Sequence, residues 1–565
     1  MPRARRRSKN KRGKHERIAL YGVVFTVALL IRLAYVDSVR ESPGAVILQT
    51  NPLRYHGWAQ AILDRNAPLP PFDQPPAYAY FVAFVYALHG SDPQAVRVVQ
   101  AVAGALQCVL LAALAAYNGI VGAAWATGLL AAAYGPFVYF TGEILPATIS
   151  LLLVTAAVIL SVRQRWAPAA ALWLLAAFFR AEFLLPALVY AGYVWARGNR
   201  RAARTLAGVV TAGWVGASLV CSMVAGRLVP YTTGLGLNLW LGNNPFADGV
   251  SPFPPVELQA AVERARLAAR HDAVRLDGWF LTEAFRFWRE YPLEAAWLSW
   301  KKFRWTLVDR ELPNTANVEW QESYSWLFSI PLFPISFGVL LCLAAAGFAC
   351  PTQGRHRPSD SALLILALST LAWCTAVFTN GRFRLPLALL LLVRGGEVVG
   401  AAFSAPARKQ FRLCAPQVLL AVGLAGWLAF SNPYQVNRYS IAALDANAGV
   451  AERLAGHPER AIALLEKALA AQRDDDLAWA HLALAREQTG DSTGALNAYI
   501  DGLAFVPRSE DLQRLAREFS NRHGMDDDWV ALFTGGASPA DRHALRMRLI
   551  QQLQRRQRKG DSPNP

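Results

Sequence analysis

The sequence has few charged residues and no cysteine in a large polar loop. Only 17% of the 565 residues are charged, whereas soluble proteins carry about a quarter. The six cysteines all lie within or at the edges of apolar runs, so the sequence indicates neither a disulfide framework nor a cysteine-based metal site. In contrast, 54% of the residues are hydrophobic, and several runs reach the roughly 20 residues that cross a bilayer. The sequence therefore predicts a polytopic membrane protein.

The net charge of +17 is distributed as in a membrane protein rather than as in a nucleic-acid-binding one. Nine Lys or Arg residues lie in the first seventeen positions, and most other basic clusters occupy short gaps between apolar runs. This is the pattern of the positive-inside rule. We therefore predict a cytoplasmic basic tail over residues 1–17 and no nucleic-acid partner.

The apolar runs predict about eleven transmembrane helices within residues 18–431. With the amino terminus inside, the longer inner loops are basic, and loops 38–93 and 226–324 face outside. The fifteen residues 76–90 are short for a span, so we expect them to lie along the membrane surface. The predicted spans are 18–37, 94–117, 119–140, 145–162, 167–181, 183–196, 204–225, 325–349, 361–379, 385–402 and 415–431.

The polar carboxyl-terminal region repeats itself with a period of 34 residues. Gly456 recurs as Gly490, and Ala461 recurs as Ala495. Each copy reads as a helix, a Gly turn and a second helix, which is typical of tetratricopeptide repeats. We predict an α-solenoid (TPR) domain over 440–540, on the outer side of the membrane, and a frayed tail over 541–565. The sequence does not indicate which partner this domain binds.

Six ionisable residues near the outer ends of the predicted spans are candidates for chemistry, because such residues in a membrane domain are usually functional. A carboxylate could take a proton from a hydroxyl or hold a divalent cation, and arginines could grip a phosphate. Pairing at a helix end or snorkelling to the interface remains the alternative for the arginines. The candidates are Asp73, Glu143, Arg180, Glu182, Arg382 and Arg384.

The stretch GLGLNLWLGNNPFADG, residues 234–249, opens the second outer loop with glycines and asparagines. Its backbone N–H groups and the side chains of Asn238, Asn243 and Asn244 could contact a ligand. A structured turn without a ligand is the alternative. The later aromatic and basic residues of this loop predict amphipathic helices on the membrane surface.

Seven stretches of the membrane part follow one another along the chain: YHGWAQAI, FDQPPAYAYF, AVRVVQAVAGALQCVLL, YGPFVYFTGEILP, LNLWLGNNPFADG, RELPN and GRFRLP. Together they resemble the GT-C glycosyltransferases, in particular the family-39-like enzymes that include protein mannosyltransferases and the aminoarabinose transferase of lipid A. The resemblance is strongest to bacterial members that end in tetratricopeptide repeats.

The resemblance implies a GT-C-like bundle with periplasmic juxtamembrane helices in a bacterial inner membrane. It implies an inverting transfer from a polyprenyl-phosphate-linked sugar donor to a lipid, glycan or protein acceptor, with an acidic residue as base. Asp73 would form part of the cavity rim, Glu143 would supply a second acid, and a divalent metal on Asp73 and Glu143 is a further candidate. Arg382 and Arg384 would meet the donor phosphate.

The sequence departs from the family pattern at one position. The family carries an acid about four residues before Tyr55, where this chain has Asn51, and an amide is not a general base at neutral pH. Either Asp73 or Glu143 takes that role, His56 assists, or the chain is inactive. The alternative function is therefore a non-catalytic scaffold that recruits envelope-biogenesis partners through its repeats.

Overall fold

In the computed structural model, the regular secondary structure of the described part of the chain is helical. Those residues are 2–48, 50–118, 121–250, 256–312, 320–321, 324–331, 333–350, 359–403, 409, 412–431, 441–525, 529–530 and 539–558. They contain one isolated bridge, between Tyr134 and Ile335, and no extended strand. The all-α prediction is thus confirmed. The loop arginines 355, 357 and 408 and the end of RELPN (313 and 314) lie outside the described residues.

The helices are numbered in chain order. They are α1 Pro2–Ser38, α2 Pro43–Val46, α3 Thr50–Leu63, α4 Ala77–His89, α5 Pro93–Tyr117, α6 Val121–Ala133, α7 Gly135–Gly142, α8 Ala147–Val162, α9 Trp166–Phe179, α10 Leu184–Ala196, α11 Arg200–Ala225, α12 Leu235–Leu241, α13 Gln259–Ala268, α14 Ala273–Glu290, α15 Pro292–Thr306, α16 Phe337–Ala349, α17 Asp360–Ala376, α18 Gly381–Ala402, α19 Ala415–Phe430, α20 Ile441–Leu454, α21 Pro458–Ala471, α22 Asp476–Gln488, α23 Ser492–Phe505, α24 Glu510–Arg522 and α25 Pro539–Arg558.

The chain divides into two compact units. The first comprises Met1–Glu41 and Leu48–Val436, and the second comprises Ser42–Ile47 and Asn437–Pro565. In the first unit a large apolar core joins the faces of α1, α5, α8, α9 and α18. The small helix α2 packs with α20 in the second unit, although α2 comes from the segment just after the first predicted span.

Several helices of the first unit are long and apolar enough to cross a bilayer. By length and composition, four of the described helices meet this requirement: His15–Ser38, Pro93–Tyr117, Arg200–Ala225 and Gly381–Ala402. Shorter apolar helices occupy most of the other predicted spans, and the longest of these, Asp360–Ala376, has 17 residues. The chain thus has the helices of a multi-pass membrane protein, whereas the count of about eleven spans stays a prediction.

Two predicted spans are not single helices, and proline is the reason in both cases. The span 119–140 is divided at Tyr134, because Gly135 and Pro136 begin a new helix there. The Gly135 N–H donates to the Ile335 carbonyl at 3.0 Å. The span 325–349 begins with a short 3-10 helix, Trp326–Ser329, and becomes α-helical only at Phe337. Pro331 and Pro334 lie between the two, and proline cannot donate a helical hydrogen bond.

The second unit consists of antiparallel helix pairs around its own core. Helices α20 and α21 form one pair, and α22 and α23 form the next. Gly456 and Gly490, which are 34 residues apart, both adopt positive φ, at 85° and 80°, in the turns between paired helices. Their partners Ala461 and Ala495 are fully buried. The tetratricopeptide assignment stays a prediction.

The tail over 541–565 was expected to be frayed, and this expectation is wrong for its first part. Helix α25 extends to Arg558, and Leu549 and Leu553 are buried in the core of the second unit. These two leucines are four residues apart, so they lie on one face of the helix. The burial of that face explains why the basic tail is helical.

Candidate functional site

Two arginines and one glutamate meet where helices α9 and α18 begin or end. Helix α9 ends at Phe179, and the extended backbone of Arg180 (φ −148°, ψ 109°) leads into a short 3-10 turn that carries Glu182. Arg382 lies in the first turn of α18, whose N-cap Asn380 accepts a hydrogen bond from Phe383 N–H at 2.8 Å. The Arg180 side chain donates to Glu182 Oε1 at 2.6 Å and to the Arg382 carbonyl at 3.2 Å.

This arginine pair has more positive charge than the neighbouring carboxylate can neutralise. Both guanidinium groups stack on the Phe383 ring, at 5.8 Å for Arg180 and 5.2 Å for Arg382. Within the described part of the chain, Arg180 Nη1 and Arg382 Nε are buried without a hydrogen-bond acceptor. Buried donors are nearly always paired. The unused N–H groups therefore suit an anion with several oxygens, such as a phosphate.

Tyr55, in helix α3, lies beside the arginine pair. Burial raises the pKa of Tyr55 well above its ordinary value, and the nearby charge of Arg382 opposes this shift. The charges of Asp73 and Glu182 also act on Tyr55, so these groups lie around one phenol. The neutral hydroxyl can both donate and accept hydrogen bonds.

Asp73 lies near this group, at the surface, in an ion pair with Arg54. The two side chains retain 47% and 40% of their exposure, respectively, so the carboxylate is accessible. The preceding residue, Phe72, accepts a hydrogen bond from Thr233 N–H at 2.8 Å. The first and second outer loops therefore meet where Asp73 is located.

Glu143 lies in a separate, buried polar pocket between α7 and α8. Burial raises the pKa of Glu143 to about 7, while the Arg97 guanidinium and a hydrogen bond from Tyr139 oppose this rise. Gln100 fixes the turn by donating to the Glu143 carbonyl at 2.8 Å and to the Thr141 carbonyl at 3.0 Å. A carboxyl group that titrates near neutral pH can exchange a proton during catalysis.

An aromatic layer links the two polar regions. The rings of Tyr55 and Tyr78 make an edge-to-face contact with centroids 4.9 Å apart, and Tyr78 donates its hydroxyl proton to Gln100 Oε1 at 2.8 Å. The charges of Arg97 and Glu143 act on Tyr78. The structure thus brings Tyr55, Asp73, Arg180 and Arg382 together, and it places Glu143 at the other end of the tyrosine pair.

His56 and Asn51 flank Tyr55 on α3. His56 Nδ1 shares a hydrogen bond with Tyr86 Oη at 2.7 Å, and burial lowers the pKa of His56. The neutral imidazole is therefore favoured at pH 7. Asn51 is partly exposed in the first turn of α3. Neither residue is a negatively charged base at neutral pH.

Arg384 lies away from the arginine pair, and its surroundings do not suit the expected phosphate contact. Its side chain is fully buried and forms an ion pair with Glu311 at 2.5 Å. It also donates to the Val308 carbonyl at 2.5 Å and the Arg310 carbonyl at 2.9 Å, and it stacks on Phe337 at 4.3 Å. Arg384 therefore holds the segment after α15 against α18.

The three candidate asparagines of the second outer loop differ in burial. Asn243 and Asn244 are buried and cap α12, since their amides donate to the carbonyls of Leu239 and Trp240. Asn238 is partly exposed and donates to the Gly234 carbonyl at 2.6 Å. The contacts of Asn243 and Asn244 are those of a structured turn, which is the alternative to ligand binding.

Lys302, which the sequence reasoning missed, fixes this loop. Its ammonium group is fully buried and donates to the Gly242 carbonyl at 3.1 Å, to Asn243 Oδ1 at 3.0 Å and to the Val377 carbonyl at 3.0 Å. Burial lowers the pKa of Lys302 to about 7. In the run WKKFRW no sequence signal distinguishes Lys302 from Lys301.

The candidate metal ligands do not fit a metal ion. Asp73 pairs with a guanidinium group, and Glu143 lies next to Arg97 at a distance from Asp73. Across the described ranges there is no group of three or more His, Cys, Asp or Glu side chains that could hold a metal. We therefore assign no chemistry to a metal at this site.

Comparisons with known proteins give a distant structural likeness. No family model and no curated protein matches the sequence. The apo crystal structure of the Archaeoglobus fulgidus oligosaccharyltransferase is similar with a TM-score of 0.41 and 12% identity, over 76% of this chain and 59% of that one. The form of that enzyme tethered to an acceptor peptide gives a TM-score of 0.39 and 14% identity, over 78% and 57%.

This chain covers less than two thirds of the length of the archaeal enzyme. The chain is thus distantly similar in structure to an oligosaccharyltransferase, and the candidate site must be judged from its own residues.

Proposed function

We propose that the protein is a membrane glycosyltransferase that takes a sugar from a polyprenyl-phosphate-linked donor. One observation carries this proposal: the unpaired, buried N–H groups of Arg180 and Arg382 beside a single carboxylate. Bidentate guanidinium groups recognise phosphate oxygens and stabilise the negative charge that develops on a leaving phosphate.

The proposed reaction is a single displacement with inversion. An acceptor hydroxyl oxygen attacks the anomeric carbon and forms the new glycosidic bond. The bond between that carbon and the phosphate oxygen breaks, and its electron pair leaves with the polyprenyl phosphate. A carboxylate takes the hydroxyl proton, and Arg180 and Arg382 stabilise the phosphate.

Asp73 is the better candidate for the base. It is accessible, and its charge acts on Tyr55 together with that of Arg382. Glu143 has a pKa of about 7 but lies beyond the Tyr55–Tyr78 layer, so it is the alternative. In both cases Tyr55 and His56 contribute by orienting hydroxyl groups, since both are neutral at pH 7.

The proposed setting is the outer face of a bacterial inner membrane, with the amino terminus in the cytoplasm. This orientation rests on the basic loops between the apolar runs. The acceptor is a lipid, glycan or protein, and the TPR-like region would bind a protein partner on the same outer side.

A non-catalytic scaffold is the second candidate, and Asn51 favours it. An amide stands where the resembling enzymes carry an acid. If no other carboxylate had taken over the role, the protein would recruit partners through residues 440–540 without transferring a sugar.

Donor turnover separates the two functions. We expect the purified protein in lipid nanodiscs to release polyprenyl phosphate from a polyprenyl-phosphate sugar when an acceptor is present. Arg180→Gln and Arg382→Gln should each reduce turnover, whereas Arg286→Gln, which changes an exposed arginine paired with Glu283, should not. Asp73→Asn and Glu143→Gln identify the base, since only one should abolish turnover.

The scaffold function is supported if the four site variants leave cell growth and envelope composition unchanged and only deletion of 440–565 alters them. These variants are Arg180→Gln, Arg382→Gln, Asp73→Asn and Glu143→Gln. Full turnover by the double variant Arg180→Gln, Arg382→Gln would contradict the phosphate site itself.

A further inference from the structure

An open apolar groove lies between helices α15 and α17. It has a volume of about 630 Å³, which is within the range of small-molecule sites. Most of the side chains along it are apolar, and among its described lining residues Ser299 and Thr375 carry the hydroxyl groups. The residues that line it include Ala296, Ser299 and Phe303 on α15 and Leu368, Ala372 and Thr375 on α17.

The groove is continuous with a surface that faces the bilayer in a membrane-spanning arrangement. Helix α17 is one of the apolar helices, and Leu364 and Leu368, one turn apart, are 46% and 55% exposed. Leu368 lines the groove. The exposed leucine face therefore leads from the expected hydrocarbon region directly into the groove.

Helix α15 has the features of a helix at the membrane surface. Leu293, Trp297 and Trp300 are exposed by 81%, 52% and 46%, and their i, i+4, i+7 spacing forms one face. Tryptophans are enriched at the headgroup level of membranes. The groove then lies beside this helix, where hydrocarbon chains begin.

The surrounding bilayer can supply a hydrocarbon chain to the groove. Transfer of a chain from the bilayer into an apolar groove costs no desolvation, because lipid tails are as apolar as the groove. An empty groove would instead lose van der Waals contacts along its walls. Water is a poor competitor, since the groove offers few hydrogen-bond partners.

The groove is separated from the arginine pair. Trp373 packs on Phe383 with ring centroids 6.3 Å apart, and Phe383 is the ring on which Arg180 and Arg382 stack. Around α17, Trp373 lies about 160° from the groove residues Leu371 and Thr375 and about 60° from Ala376, so most of the groove is on another face of the helix. The chain of a donor phosphate held by the arginines thus belongs on another side of the helix.

We propose that the groove binds one acyl chain of a bilayer phospholipid. The chain packs between α15 and α17 and supports α15, which also holds the second outer loop through Lys302. The site is independent of the proposed transferase activity, because it rests on shape, exposure and apolar lining.

Photo-crosslinking in nanodiscs tests this site. The probe is a phosphatidylglycerol with a diazirine in the middle of one acyl chain, and labelled peptides are mapped by mass spectrometry. We expect labelling of the peptides that contain Phe303 and Leu371. Ala372→Trp and Ala296→Trp change exposed residues in the groove, so both should fold and lose most of that labelling.

The matched control is Ala212→Trp, which changes an exposed alanine on the apolar helix α11, outside the groove. It should leave the groove labelling intact. A second probe, a polyprenyl phosphate with a diazirine in its chain, should not compete. Equal labelling of the groove in all variants, or displacement of phosphatidylglycerol by the polyprenyl probe, would overturn the proposal.

Discussion

Arg382 and Arg384 are two residues apart in GRFRLP, yet they lie in two different electrostatic regions. Arg384 is fully buried and has an ion pair with Glu311 and two carbonyl acceptors. Arg382 is only partly buried, and its closest charged neighbours include another arginine, Arg180, as well as Glu182. The Nε atom of each lacks an acceptor among the described residues, so the difference lies in access and charge balance.

The comparison teaches that arginine in an apolar helix has two distinct uses. A guanidinium with its own carboxylate and no exposed surface contributes to folding, because neither charge can be left alone. A guanidinium beside a second cation, at the end of a helix, is unfavourable unless an anion joins it. The predictions below test this distinction, beginning with the largest expected change in free energy.

Removal of Arg384 should have the largest effect on stability. Arg384→Leu leaves Glu311 without its buried partner, which costs about 3–5 kcal/mol in the free energy of unfolding. Unfolding of the purified protein in mixed detergent measures this difference. Arg382→Leu is the paired variant and should cost much less; equal losses would show that the two regions do not differ.

The free energy of unfolding should depend on pH because the Glu143 carboxyl group titrates. Its pKa rises from 4.5 in the unfolded chain to about 7 in the folded protein, so the folded state binds the proton more tightly. The free energy of unfolding should therefore fall between about pH 4.5 and pH 7, by on the order of 3 kcal/mol. Unfolding curves across this range give the slope.

Glu143→Gln is the control for that slope. It removes the ionisable group, so the variant should be more stable than the wild type at pH 8 and should lose most of the slope. An unchanged pH profile would show that Glu143 does not titrate in this range.

Loss of either member of the arginine pair, Arg180 or Arg382, should weaken binding of a phosphate lipid. Each charge-assisted hydrogen bond contributes about 1.5–3 kcal/mol, which corresponds to a roughly 10- to 100-fold rise in Kd. Titration of polyprenyl phosphate into nanodiscs with Arg180→Gln or Arg382→Gln measures this change. Arg286→Gln should bind as the wild type does, and a comparable loss there would indicate a non-specific charge effect.

The smallest stability change should come from Asp73. Its pair with Arg54 is largely exposed, and such pairs contribute about 0–1 kcal/mol. Asp73→Asn should therefore unfold almost as the wild type does, which makes any loss of donor turnover attributable to chemistry. A loss of stability as large as that of Arg384→Leu would assign Asp73 a structural role.

The sequence predicted the class of fold because the signals are local. Apolar runs of sufficient length, proline positions and the 34-residue period are all readable from neighbouring residues. Pro136 and Pro334 even mark where two predicted spans are divided, although the run lengths alone concealed those breaks. Asp73, Arg180 and Arg382 are charged candidates near predicted helix ends, and Tyr55 belongs to the stretch YHGWAQAI of the family resemblance. The structure brings these four residues together.

The roles of residues within one motif could not be predicted in the same way. Arg382 and Arg384 differ by about 200° around a helix, and Lys301 and Lys302 differ by about 100°. Which of each pair meets a carboxylate, a carbonyl group or an open site depends on the segment that packs opposite. For Arg384 that segment is 308–311, which is more than 70 residues away in the chain.

The amino-acid sequence by itself determined a helical, membrane-embedded chain with a periodic polar region, since hydrophobic run length and periodicity are properties of consecutive residues. The tertiary structure decided which charges are neutralised and which remain available. The electrostatic energy of a buried group depends on partners that are distant in the chain and a few ångströms away in space.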